Sequence, residues 1–428
     1  MPRIARKLVI WLAALVAATL AIPVLVAPAG AAPGPGPAPA APYMGVDTWY
    51  AFGSGIDEQT IVRFADEVVS DGLKAAGYRY VWLDGGWWNG SRDADGNIAV
   101  DPAQWPQGMA WLVSYIHSQG LLAGIYTDAG ASGCSGSQAG SYGHYQQDMD
   151  TFAAWGFDAV KVDFCGGDAL GLDPRAAYGE IAQAIQNDQP ERAMLLNVCN
   201  AAEPGHYGGD APSFADSAFD SWSFAPDIAT SWRTSYDIGW PGNVPFSRVL
   251  HNVDADADHP QAAGRGHFND PDYIVPGEGL SAAELRAQVT MWSVLMAPMI
   301  VSGNLGSLSA QARQTLENPE VIAVDQDPRD VQGIRVATER ATEVWVKPLA
   351  RGQKAVALLN PSGSAAVASI TGAMLGWPRA RHLIVRDLWQ HVTTRDRATV
   401  RVSVPADGAV LLRVHPAQRQ RGIVSPYG

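Results

Sequence analysis

Acidic residues close many of the short apolar runs in the first three quarters of the chain. Tyr80-Val81-Trp82-Leu83 ends in Asp84, Leu121 to Tyr126 in Thr127-Asp128, and Ala159 to Val162 in Asp163. Further along stand Asp237 and the Asp270-Pro271-Asp272 pair. Within the third run Lys161 interrupts the apolar residues, and buried charges are costly unless paired or used. Lys161 and Asp163 should therefore meet at a strand end and face a cleft. A lone acid in such a place often caps a helix. Several together, near Lys161, Arg233, Trp49, Trp87, Trp88 and Trp232, point to a cleft for a sugar, whose flat faces stack on aromatic rings. Cleaving a glycoside takes two carboxyl groups, one to attack or to activate water and one to protonate the leaving oxygen. Asp163 is the candidate for the first role. Asp237 is the candidate for the second: it follows an expected sixth strand, and Arg233, four residues earlier, can bind a hydroxyl or hold a carboxylate ionised. Asp163, Glu203 and Asp272 form a rival set after strands four, five and seven. However, Glu203 stands before Pro204-Gly205 and reads as a loop charge.

The elements that must position these groups alternate. Further runs at Met194–Val198 and Pro298–Val301 continue the strand series. Helical patterns fill Thr60–Ala75, Gln107–Gln119, Gly143–Trp155, Pro174–Asn187 and Ser281–Met296. Strand–helix alternation over residues 43–329 predicts parallel strands with crossover helices, and at this length an α/β fold of the (β/α)8 TIM-barrel type. An open doubly wound sheet is the other option, but no G-x-G-x-x-G follows the first strand. In residues 330–416 the pattern changes to short strands without helices, at Thr342–Leu349, Gln353–Asn360, His382–Asp387, Thr399–Val404 and Ala409–Val414. This predicts a C-terminal antiparallel β-sandwich, followed by a tail at 417–428.

Residues 1–31 read as a secretory signal: Arg3, Arg6 and Lys7, then 19 mostly apolar residues from Leu8 to Val26, then Ala29-Gly30-Ala31. Residues 32–42 contain only Ala, Pro and Gly and read as a semi-rigid linker. The mature chain is expected to be secreted, with no membrane association once the signal is removed. The full sequence has a formal charge of −13, and the mature chain loses three further positive charges with Arg3, Arg6 and Lys7; this disfavours nucleic acid and suits a neutral ligand. Three cysteines in an exported chain imply one disulfide and one thiol. Cys134 and Cys165 follow strands in loops free to converge, and Cys199 reads as a buried thiol. No Cys/His metal spacing is present, and no cofactor is expected.

Taken in order, the motifs resemble glycoside hydrolase family 27, the α-galactosidases or melibiases. They include Met44-Gly45 with Trp49 and Phe52-Gly53, Gly77-Tyr78 to Leu83-Asp84, and Gly124-Ile125-Tyr126-Thr127-Asp128-Ala129-Gly130. Trp155-Gly156-Phe157-Asp158 leads into Lys161-Val162-Asp163. Ser231-Trp232-Arg233 with Asp237-Ile238, Phe268-Asn269-Asp270-Pro271-Asp272 and Val321 to Pro328 complete the series. The resemblance implies double displacement with retention, with Asp163 as nucleophile and Asp237 as acid/base, their carboxyl groups roughly 5–5.5 Å apart. It implies that Trp49, Asp84, Tyr126, Lys161, Arg233 and Asp272 contact the sugar, with Asn200 at the position after strand five, and that Cys134 pairs with Cys165. Lys161 and Arg233 are expected to keep Asp163 ionised.

Two departures bear on the substrate. The family carries two adjacent acids after strand two, on the 4- and 6-hydroxyls, whereas here Asp84 is followed by Gly85-Gly86. It usually has Cys-Glu after strand five, whereas here Cys199 is followed by Asn200. The expected activity is release of terminal non-reducing α-D-galactosyl residues from oligo- or polysaccharides. An isomaltodextranase-type enzyme, a β-L-arabinopyranosidase and a non-catalytic sugar-binding protein are the alternatives.

Overall fold

The computed structural model describes residues 39–134, 140–188, 194–199 and 221–417. The expected signal and most of the linker, Asn200, Glu203 and nearly all of the tail lie outside these residues. Eight strands alternate with helices: β1 Met44–Asp47, β2 Tyr80–Leu83, β3 Leu122–Asp128, β4 Ala159–Asp163, β5 Leu195–Cys199, β6 Ser231–Arg233, β7 Phe268–Asp270 and β8 Met299–Ser302. All pair in parallel, in the order β7-β6-β5-β4-β3-β2-β1-β8. The ring closes just beyond β7, where Ile274 bridges to Val301. The Ile274 N–H donates to Ile300 O and its carbonyl accepts from the Ser302 N–H, both at 2.8 Å. This is the predicted TIM-type barrel.

Local chemistry explains where the helices differ from expectation. The stretch Thr60–Ala75 splits into Glu58–Ser70 and Leu73–Ala76, because Gly72 adopts φ +90° between them. The first piece starts two residues early, at Glu58, where Asp57 accepts the Thr60 N–H at 2.7 Å as an N-cap. The last barrel helix, Ala282–Leu295, begins with a capping box between Ser281 and Glu284. Strand six is Ser231–Arg233 itself. Arg233 is therefore a strand residue, and the loop after it carries Asp237.

A polar layer lies inside the barrel under the future site. Tyr43 OH and Ser231 Oγ are 2.7 Å apart, and Asn197 Nδ2 donates to Ser231 Oγ at 2.7 Å and to Asp270 Oδ2 at 2.9 Å. Barrel interiors are usually filled by branched apolar side chains. Here every member of a buried polar set has a partner, which such a set requires.

The C-terminal strands are β9 Ile334–Glu339, β10 Thr342–Pro348, β11 Lys354–Asn360, β12 Ala366–Thr371, β13 His382–Asp387, β14 Val392–Arg397, β15 Thr399–Val404 and β16 Gly408–Pro416. Six form an antiparallel sheet in the order β14-β13-β16-β11-β10-β9, and β12 pairs with β15 alongside it. Side chains alternate faces along a strand. Val344, Val346, Val356 and Leu358 pack against Ala368, Ile370 and Val400. On the opposite face Trp345, Ala357, Leu359 and Leu411 join the barrel's own core. The central strands are thus buried on both faces, which is why Lys354–Asn360 reads as a continuous apolar run. Trp389 reinforces the junction: its Nε1 donates to Thr290 Oγ1 at 3.0 Å and the Arg286 guanidinium lies over its ring at 5.3 Å. Barrel and sandwich should therefore melt in one transition. Trp389→Ala is expected to cost about 3 kcal/mol by loss of packing, with the single transition kept, as read by urea denaturation followed by tryptophan fluorescence and circular dichroism.

Candidate active site

Parallel register sets the depth of each side chain at the carboxyl end of the barrel. Tyr126 pairs with Lys161 and Asp128 with Asp163 across β3 and β4. Tyr126 and Lys161 therefore stand one layer below Asp163, and Asp84 follows the last residue of β2. A pocket of about 490 Å³, open to solvent, gathers Asp84, Gly85, Tyr126, Lys161, Asp163 and Asp237, with Trp49, Tyr50, Trp240, Tyr273 and Cys134 around them.

Lys161 is buried, and its Nζ donates to Asp84 Oδ2 at 2.7 Å and to Tyr273 OH at 2.8 Å. Burial is the largest single influence and works against the ammonium, but Asp84 together with Cys199 and Asp47 more than offsets it, and the Lys161 pKa stands well above its usual value. Burial likewise works against the Asp84 carboxylate. Lys161 and the hydrogen bonds from Gly85 and Tyr273 more than offset it, and the Asp84 pKa falls below the ordinary range. This pair stays charged. Asp47, at the end of β1, adds another buried carboxylate beside it. Burial and the charge of Asp84 raise the Asp47 pKa well above the usual value.

Arg233 forms the second cationic centre. It is almost fully buried, with Nη2 2.5 Å from Asp272 Oδ1, Nη1 donating to Asp237 Oδ1 at 3.0 Å, and Nε 3.7 Å from Asp270 Oδ2. Asp272 adopts φ +84°, a region few non-glycine residues occupy. Its carboxylate accepts N–H bonds from Ile238 and Tyr273, each at 2.6 Å, and the Trp292 indole donates to its carbonyl at 2.7 Å. The turn is thus held from three sides. Asp237 is the exposed member of the group, with 40% of its side chain open to solvent.

Asp163 lies between the two centres. Tyr126 OH donates to its Oδ2 at 3.0 Å and its own Oδ1 accepts the Phe164 N–H at 3.1 Å. Burial pushes the Asp163 carboxyl above its usual value, and Asp237 and Asp84 add to this, while Lys161 and the Tyr126 hydroxyl pull it back in part. The net direction is opposite to that expected from the neighbouring cations alone, because desolvation is the larger effect.

Several sequence expectations fall elsewhere. Trp87, Trp88 and Trp232 are core residues, not cleft residues. Trp87 packs against Phe152 and Trp155 and donates to Tyr126 O, and Trp232 donates to Asn269 Oδ1 at 2.9 Å. Trp49 does line the pocket. Asp128 is a structural anchor: its carboxylate accepts N–H bonds from Gly130 at 2.6 Å and Gly166 at 3.2 Å. A Cβ on Gly130 would lie 1.9 Å from the Gly166 carbonyl carbon, so only glycine lets these loops meet. The same loops carry the Cys134–Cys165 disulfide, and Cys199 is a buried free thiol. Asp128 and these two cysteines are the potential metal ligands that cluster among the described residues, and both sulfurs are engaged in the disulfide. Tyr50, Trp240 and Tyr273 line the pocket without having been anticipated. Tyr273 follows Asp272 directly, so the Asp270-Pro271-Asp272 motif was the signal that could have found it.

Buried acids and two cations at the carboxyl mouth of a (β/α)8 barrel define a glycoside hydrolase. The model for alpha galactosidase A matches residues 44–327, and that for the alpha galactosidase C-terminal beta sandwich domain matches residues 339–414. The chain therefore belongs to the α-galactosidase family, glycoside hydrolase family 27. It is 34% identical over 393 residues to alpha-galactosidase A of Cellvibrio japonicus, covering 88% of this chain and 92% of that one. It is 34% identical over 355 residues to the alpha-galactosidase of Cyamopsis tetragonoloba, covering 82% and 80%. The solved structure of alpha-galactosidase I from Mortierella vinacea superposes with a TM-score of 0.78 at 29% identity, covering 88% and 97%.

Removing the Tyr126 hydroxyl removes a bond that lowers Asp163. Tyr126→Phe is therefore expected to move the acid limb of the pH–kcat/KM profile to higher pH, measured on an aryl glycoside substrate. An unmoved limb would count against this placement of Asp163.

Proposed function

We propose that the protein is a secreted, retaining α-galactosidase that removes terminal non-reducing α-D-galactosyl residues from oligo- or polysaccharides. The observation that carries this reading is the pairing of Asp163 and Asp237 in one pocket, with Asp163 under the influence of Lys161 and Asp237 bonded to Arg233. Asp163 attacks the anomeric carbon and forms a glycosyl ester. Asp237 gives its proton to the leaving oxygen and then draws a proton from the water that cleaves the ester. The exposure of Asp237 suits this role, since the aglycone leaves and water enters on that side. Asp163 is buried deeper, where its charge is less solvated and more reactive. Lys161, Asp84 and Tyr126 hold the sugar at the floor, while Arg233 and Asp272 hold it near Asp237, and Trp49 offers an apolar face at the rim.

Secretion is supported by the sequence of residues 1–31 and by the disulfide, which belongs to an oxidising compartment. The acidic charge suits a neutral polysaccharide substrate.

A panel of p-nitrophenyl glycosides on wild type and Asp163→Asn tests the proposal. Wild type should release p-nitrophenol from the α-galactoside and leave the α-glucoside intact, with an α-configured first product by NMR. Asp163→Asn should lose at least about a thousandfold in kcat. Cleavage of α-1,6-glucan with no action on the galactoside would replace this reading with the isomaltodextranase-type one.

A further inference from the structure

Charge is spread unevenly over the sandwich. The chain has 43 acidic and 30 basic residues. Yet an open groove of about 1320 Å³ at one end of the sandwich is lined by Arg379, Arg381, His382, Arg395 and Trp377, and by no acid. It shares no residue with the catalytic pocket.

Strand register explains how these cations gather. Leu383 and Val385 of β13 belong to the sandwich core, so alternation turns His382 to the other face. Across the ladder His382 pairs with Arg397 and Ile384 with Arg395, which places both arginines on that face. Arg379 and Arg381 arrive in the loop just before β13. Like charges grouped on one face of a sheet repel, so folding gains nothing from bringing Arg395 and Arg397 together. Other arginines of the sandwich have partners: Arg335 pairs with Asp254 and Glu343, and Arg386 with Glu320. Arg379, Arg381 and Arg395 form no ion pair among the described residues.

Trp377 adds what a sugar needs beside the charge. The half-buried ring packs in part on the sandwich core, and Lys354 Nζ lies 5.4 Å from its centroid, a further positive charge at the groove. Its indole N–H donates to no group among the described residues. Guanidinium groups bind carboxylates through paired N–H bonds, and an indole offers a pyranose both apolar surface and a donor for a hydroxyl. The chain's own end does not match the groove by charge, since residues 418–428 carry Arg419 and Arg421 and no acid.

We propose that this groove is a second glycan site, separate from the catalytic pocket, that binds an acidic polysaccharide through the carboxylates of its uronic acid units. A uronate unit unites the two features present here, a sugar ring for Trp377 and a carboxylate for the arginines. Nucleic acid and anionic membranes present far denser charge, which the rest of this acidic surface repels. Binding at the groove tethers the enzyme to a polymer and raises the local concentration of that polymer's branches around the barrel.

The test is isothermal titration of the full chain with sodium polygalacturonate, a neutral galactan and poly-L-glutamate, on wild type and on the triple variant Arg379→Gln, Arg381→Gln, Arg395→Gln, with folding checked by circular dichroism. Wild type should bind polygalacturonate better than either other polymer, and more weakly as salt rises. The triple variant should lose about tenfold in affinity, with kcat/KM on p-nitrophenyl α-galactoside unchanged. Equal affinity of wild type and variant for polygalacturonate overturns the proposal, as does the absence of binding by wild type. Equal binding of poly-L-glutamate shows that charge alone suffices and overturns the assignment to a sugar acid. Tighter binding of duplex DNA or of phosphatidylserine vesicles than of polygalacturonate overturns it in favour of those partners.

Discussion

The site depends on keeping two cations charged where water is scarce. Lys161 and Arg233 are both buried, and each carries a desolvation cost that only nearby anions offset. Asp84 and Asp47 lie beside Lys161, while Asp272, Asp270 and Asp237 lie beside Arg233. The Tyr273 ring stands between the two cations and presents a π face to each. This arrangement makes the cluster a unit. Removing one carboxylate would strand a cation, and removing a cation would leave several acids mutually repelling. Asp163 sits within the resulting field and outside the pairing itself. Its carboxyl is therefore raised by burial while remaining free to react.

The sequence made the catalytic acids legible for a physical reason. An apolar run that stops on a carboxylate places that carboxylate at the end of a buried strand, and a parallel barrel collects such ends at one mouth. Asp84 and Asp163 were legible that way, Lys161 as the charge that interrupts the third run, Arg233 by its spacing of four from Asp237, and Asp272 as part of the Asp270-Pro271-Asp272 pair. The tryptophans were not, because residue type does not say which face of the strand wall a side chain takes. Trp232 lies between Ser231 and Arg233, both of which face inward, so alternation alone turns it out toward the helices. Trp87 was likewise taken for a cleft residue and is packed behind β3. Asp128 shares the position of a catalytic acid but is used up by backbone N–H groups of two loops. Tyr273 was missed although it follows Asp272 directly, since its partners Lys161 and Asp84 lie 112 and 189 residues away in the chain.

The C-terminal half shows the same limit in another form. Strands with one or two buried faces announced themselves by apolar runs. Ile334–Glu339 and Val392–Arg397 did not, because they are the two edge strands of the sheet and carry many exposed residues. Their pairing comes from the neighbouring strands and not from their own composition. The split of the first long helix has a comparable origin, in one glycine with a positive φ.

The barrel's seam has a consequence for the pocket. Between β7 and β8 the wall is completed by Ile274 alone, and Asp272 and Tyr273 immediately precede it. The segment that joins the two ends of the sheet thus also carries two side chains of the site, Asp272 on Arg233 and Tyr273 at the pocket wall. A displacement of Ile274 at the seam would therefore carry Asp272 and Tyr273 with it, so the closure of the barrel and the shape of the pocket cannot be altered independently.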